Sequence, residues 1–140
     1  MTIKELQKYC HDNAVKHGFW DDEKNNDVYV KIALFHSEIS EFFEDIRSGR
    51  NPKDAFYMES KPQQWTRYDI GYIERLKKKR SKLLPNLKDA KPVGPAIELA
   101  DLAIRLLDCC EAWGIDLEKM IMIKMKYNEQ RPFKHGGKQV

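Results

Sequence analysis

Cysteine is scarce in this chain and poorly spaced: three residues in 140, Cys10, Cys109 and Cys110, two of them adjacent. That pattern supports neither a disulfide scaffold nor a thiolate metal site, so free, reduced thiols are expected. No apolar run approaches the ~20 residues of a membrane span. The start, Met1-Thr2-Ile3-Lys4-Glu5, lacks the apolar stretch of a signal peptide. The expectation is a cytoplasmic protein with no membrane partner. A strong excess of one charge is also missing. The net charge of +3 is too small to imply nucleic-acid binding, and nucleic acid is not expected as a partner. Convincing apolar–polar alternation, the mark of a half-buried strand, is absent too, so the class reads as all-α.

What the chain does contain is ordinary globular material. Hydrophobic content of 41% with 34% charged residues excludes a disordered chain. At 140 residues, 1–140 reads as a single domain with a substantial core. Residues 3–17 read as a first helix stopped by Gly18. A second runs from about 28 to 47, with Val28, Ile32, Phe35, Ile39, Phe42 and Ile46 at steps of four and three. The stretch 51–92 is broken by Pro52, Pro62, Pro85 and Pro92, with a basic helix expected within 66–84. Pro95 opens a further helix reaching about Trp113, and Asp116 caps a last one to about Glu129.

Two carboxylate pairs interrupt this apolar pattern: Glu38-x-x-Glu41 in the second helix and Glu98-x-x-Asp101 in the helix after Pro95. Residues three apart lie on one helical face, so each pair is a pincer. Projected at 100° per residue, Glu98, Asp101, Arg105 and Asp108 fall within an arc of roughly 80°. Nearly everything else on that helix is apolar. Such a helix is expected to be buried, its acidic stripe turned into protein or a cleft. On the second helix, Glu38, Glu41 and Asp45 form a similar arc. Burying carboxylates without compensation costs several kcal/mol each, and a hard cation with oxygen ligands is the usual compensation. Neither pincer contains the Glu-x-x-His of di-iron bundles. The expected metal is Mg²⁺, with Mn²⁺ as its substitute, held by Glu38, Glu41, Glu98 and Asp101.

These motifs, in this order, resemble the MazG-like nucleotide pyrophosphohydrolases of the all-α NTP pyrophosphatase superfamily. The E-x-x-E and the later E-x-x-D match at Glu38/Glu41 and Glu98/Asp101. A K-x-x-x-N-x-x-R element matches at Lys124, Asn128 and Arg131. The Gly18-Phe19-Trp20 element and the ending Arg131-Pro132-Phe133-Lys134-His135-Gly136-Gly137-Lys138 are similar as well. The resemblance covers 1–48 and 93–138. It departs in the 56 residues separating Glu41 from Glu98, a longer interval than is usual, so 51–92 reads as a basic, partly helical insertion.

The resemblance implies a four-helix bundle-like core and Mg²⁺-dependent cleavage of an NTP or dNTP between the α and β phosphates, giving NMP and pyrophosphate. Glu38 or Glu41 would also handle the attacking water. Lys124 and Arg131 would meet phosphate oxygens and Asn128 a sugar or base, while Trp20, just past a helix end, would either stack on the base or cap the bundle core. The apolar surface left on four helices of this size points to a homodimer or homotetramer. The rival reading is a non-catalytic helical module in which basic 75–91 contacts nucleic acid or a partner protein and the carboxylates are structural.

Overall fold

A computed structural model describes residues 1–24, 26–61, 64–83 and 85–132, with backbone only at 59–61 and 64–66. Among these residues the chain is mostly helical: α1 (Ile3–Lys16), α2 (Val28–Arg47), α3 (Ile70–Lys78), α4 (Pro95–Ala112) and α5 (Leu117–Glu129). The expectation of no strands is corrected by β1 (Phe56–Lys61), β2 (Gln64–Asp69) and β3 (Lys91–Val93). The chain divides into two compact units, 1–27 with 104–140 and 28–103.

In the first unit, α1 starts with a reciprocal cap. Thr2 Oγ1 accepts from the Glu5 amide at 3.1 Å, and Glu5 Oε2 accepts from the Thr2 amide at 2.7 Å. Gly18, at φ 76°, ends the helix as expected, and the Phe19 amide reaches back to the Ala14 carbonyl at 3.1 Å. Gln7, 1% exposed, ties α1 to the turn between α4 and α5. Its Nε2 donates to the Ile115 carbonyl at 2.8 Å and its Oε1 accepts from the Leu117 amide at 3.1 Å. Asp116 caps α5 by accepting from the Lys119 amide at 2.9 Å. Cys10, Cys109 and Cys110 are buried and form no disulfide among the described residues.

In the second unit, α2 gives way at Gly49 to a three-stranded antiparallel sheet of order β2-β1-β3. Phe56 faces Asp69 and Tyr57 faces Tyr68 across β1–β2, while Phe56 also faces Val93 across β1–β3. Asp69 ends β2 and caps α3, accepting from the Tyr72 amide at 2.6 Å. That cap shortens the basic helix to 70–78 from the expected 66–84, because the residues before it are committed to strand pairing. Ile73, fully buried, and Leu76 form the inward face of α3.

β3 runs directly into α4 through Gly94 and Pro95. Gly94 sits at φ 112°, and a Cβ there would lie 2.9 Å from the Asp54 carbonyl oxygen. Pro95 occupies the first turn, where its missing N–H costs nothing. The Asp54 carbonyl accepts from the Ala96 amide at 3.2 Å, which fixes the start of α4 against the base of the sheet. Glu98 follows in the first turn.

Candidate metal centre

α2 and the first half of α4 bring together three of the four pincer carboxylates. Glu38, Glu98 and Asp101 each offer an oxygen within 4.8 Å of the others. Glu38 is buried at 5% exposure, and Glu98 and Asp101 are half-buried. The i, i+3 spacing of Glu98 and Asp101 does this on one helix, and the Gly94–Pro95 start sets which way that face points. The remaining carboxylate, Glu41, is not one of this group of three, although its charge acts on Glu98 more strongly than those of Asp101 and Glu38. It is exposed and accepts a hydrogen bond from Ser37 Oγ at 3.3 Å. Its charge still reaches the cluster.

Burial and like charge converge on Glu98. The Glu98 carboxyl is pushed above its ordinary value, first by burial and then by the negative charges of Glu41, Asp101, Glu38 and Asp45. Glu98 lies in the first turn of α4, where the helix dipole favours a carboxylate by roughly 0.3–1 kcal/mol. Burial and like charge outweigh that dipole. Asp45, which extends the α2 stripe, is itself paired with Arg50 at 2.5 Å. Lys31, two turns before Glu38 on α2, is a buried cation at 6% exposure.

The donor set suits a hard cation, since all three ligands are oxygens. Ligands on opposite sides of one Mg²⁺ are about 4.2 Å apart, twice the ~2.1 Å metal–oxygen distance. At most one pair of three oxygens can stand opposite and adjacent ones lie about 3 Å apart, so oxygens up to 4.8 Å apart draw together by up to about 1.8 Å to share an ion.

α4 is less buried than its composition predicts. Leu99, Ile104 and Leu106 are 44%, 47% and 39% exposed. Glu98 and Asp101 on its acidic stripe are half-buried, whereas Leu99 and Ala100 between them are exposed.

The other expected site residues belong to the unit formed by 1–27 and 104–140. Trp20 is half-buried and its indole is already engaged: Nε1 donates to Asp108 at 2.9 Å (Oδ1) and 3.2 Å (Oδ2). His11 joins the same carboxylate at 2.8 Å through Nδ1 and meets the Trp20 ring edge-on, centroids 5.4 Å apart. Asp108 is thus spent on Trp20 and His11, not on extending the acidic arc. Sequence reasoning missed His11 because 97 residues separate it from Asp108. Lys124, Asn128 and Arg131 are exposed on or just beyond α5. Lys124 Nζ lies 5.0 Å and Arg131 Cζ 5.8 Å from the Tyr127 ring centre, so both cations bracket one aromatic. The ending from Phe133 to Lys138, His135 included, lies outside the described residues.

No family model, no curated protein and no solved structure matches this chain.

Proposed function

We propose that this protein is a Mg²⁺-dependent nucleoside triphosphate pyrophosphohydrolase, cleaving NTP or dNTP to NMP and pyrophosphate. The observation that carries the reading is the gathering of Glu38, Glu98 and Asp101 oxygens within 4.8 Å, from two motifs that match the MazG-like pattern. Glu38, Glu98 and Asp101 hold Mg²⁺, or Mn²⁺ in its place. The ion supplies positive charge to the polyphosphate and to the pyrophosphate leaving group. Glu41, exposed and outside the trio, is the carboxylate left to orient and deprotonate the attacking water. Water adds at the α-phosphorus, the bond from that phosphorus to the bridging oxygen breaks, and pyrophosphate departs.

Lys124 and Arg131 contribute cations for phosphate oxygens, the guanidinium bidentately. Asn128 offers both a donor and an acceptor to sugar or base. Trp20, held at its Nε1 by Asp108, is the aromatic residue assigned to the base in this reading. The working form is a homodimer or homotetramer. In its support, α2 exposes Tyr29, Ile32, Ile39 and Phe43, and α5, in the other unit, exposes Met122 and Ile123, apolar side chains that a subunit interface would cover. No helix among the described residues is long and apolar enough to cross a membrane.

The test is pyrophosphate release from a panel of NTPs and dNTPs with Mg²⁺. Activity on at least one is expected, with Glu38→Gln and Glu41→Gln each reducing kcat by ~10²-fold or more. Glu38→Gln should also weaken Mg²⁺ binding, and Glu41→Gln should largely spare it. Silence across the panel, or full activity in Glu38→Gln, refutes the assignment.

A further inference from the structure

The near-neutral total charge conceals a segregation. From Phe56 to Val93, the segment bounded by the sheet, there are ten Lys and Arg against four Asp and Glu, a net +6. The rest of the chain must then carry −3 to reach the total of +3. The excess is concentrated at the end of α3 and just beyond. Lys78, Lys79, Arg80 and Lys82 are all exposed, and among the described residues none of them makes an ion pair.

Two further features are not expected of a solvated face. The first is backbone strain under a cation. α3 ends in a left-handed turn, with the Ser81 amide donating to the Leu76 carbonyl at 3.1 Å and the Arg80 amide to the Lys77 carbonyl at 3.0 Å. The left-handed position belongs to Arg80, at φ 48°. Glycine adopts that geometry without steric cost and is the usual occupant. Retaining an arginine there sacrifices stability for a guanidinium.

The second is a cavity beside the same helix. It has a volume of about 340 Å³ and is lined by Tyr57, Lys77, Pro85, Leu87 and Lys88. Lys77 Nζ stands 5.9 Å from the Tyr57 ring centre and pairs with Glu74 at 2.7 Å, while Lys88 is exposed. An aromatic ring, two apolar side chains and flanking cations form a place for a flat group carried on an anionic backbone. The volume sits at the lower end for small-ligand sites, enough for one base with its sugar.

We propose that this β1-β2-α3-β3 insert binds single-stranded nucleic acid, the backbone tracking the cations from Lys78 to Lys82 and one unstacked base entering the Tyr57 cavity. Cations continuing past the cavity favour a chain of phosphates over a free nucleotide. A pocket for a single unstacked base favours a single strand over a duplex. The proposal does not depend on the hydrolytic reading.

The test uses a fluorescently labelled 20-mer of thymidylate and anisotropy titrations of the full chain from 50 to 200 mM NaCl. Saturable binding that weakens with salt is expected, each phosphate contact contributing about 0.7 to the log–log slope. The triple variant Lys78→Glu, Lys79→Glu, Lys82→Glu should lose at least tenfold in affinity and about 2 in slope. Arg80→Gly should bind several-fold more weakly while melting a few degrees higher, a combination that mere unfolding cannot produce. A duplex of equal length should compete at least tenfold less well.

Absence of binding at 50 mM NaCl, or wild-type affinity in the triple variant, overturns the proposal. So does equal competition by an acidic peptide of matched charge, which would indicate a protein partner or simple ion exchange. Displacement by micromolar free nucleotide would assign the cavity to a small ligand and also overturn it. Glu38→Gln is expected to bind the oligonucleotide as wild type does, and the triple variant to retain whatever pyrophosphate release the parent shows, so the two proposals fail separately.

Discussion

Neutralising one member of the carboxylate trio should raise stability without metal and remove the response to metal. The variant is Glu98→Gln, which keeps the shape and deletes the charge. Oxygens no more than 4.8 Å apart interact by about 3.5 kcal/mol per ionised pair at an effective dielectric of about 20. Glu98 and Asp101 are half-buried, so solvent screens much of this, and Glu98 relieves part of it by taking up a proton more readily. About 1–2 kcal/mol of repulsion remains to be removed. At about 3–4 °C per kcal/mol for a chain of this size, ion-free Glu98→Gln should melt roughly 3–8 °C above wild type. Addition of Mg²⁺ at a hundred times its Kd should stabilise wild type by about 2.7 kcal/mol, a rise of roughly 8–11 °C. In the variant that rise should fall to a small fraction. Differential scanning fluorimetry with EDTA and with a MgCl₂ series measures all four states. A variant that melts below wild type in EDTA, combined with a wild type indifferent to Mg²⁺, would show that the cluster is neither repulsive nor a metal centre.

Three other outcomes follow from particular contacts. The raised Glu98 carboxyl means that the folded state holds its proton more tightly than the unfolded chain does. Ion-free stability should therefore rise as pH falls through the raised value toward the ordinary 4.5, and the Mg²⁺ increment should shrink over the same window; thermal melts from pH 8 to 5 check both signs. Asp108→Ala strands the Trp20 indole N–H and the His11 ring nitrogen at a cost of about 2–4 kcal/mol, readable by urea denaturation with a change in tryptophan emission, whereas Asp108→Asn should lose less than half as much. Gly94→Ala places a Cβ 2.9 Å from the Asp54 carbonyl at φ 112°. It should cost at least about 2 kcal/mol and, by shifting the start of α4, reduce the Mg²⁺ response; a neutral result would mean that this close approach does not set the helix.

Local codes were readable wherever the chemistry is local. The end of α1 and the starts of α4 and α5 follow from Gly18, Pro95 and Asp116, residues that act on the backbone within a turn of themselves. The two pincers were legible because i, i+3 spacing on a helix is itself a statement about geometry. The sheet was not. Phe56-Tyr57-Met58 sets three apolar residues in succession on β1, so the period of two never appears. β3 is three residues long and pairs with a strand more than thirty residues earlier. Propensity also misjudged α3: its cationic run favours helix well beyond 78, but the Arg80 turn ends it.

The sequence alone determined the residue types that a hard cation and a phosphate chain require, and the helices that carry them, because both depend on spacing within one element. Tertiary structure decided which carboxylates meet. It drew Glu38 of α2 to within 4.8 Å of Glu98 and Asp101 of α4. It also decided that Asp108 serves Trp20 and His11, and that Lys77 and Lys88 border an aromatic cavity. Those outcomes depend on contacts across tens of residues, where loop closure and packing, not periodicity, select the partner.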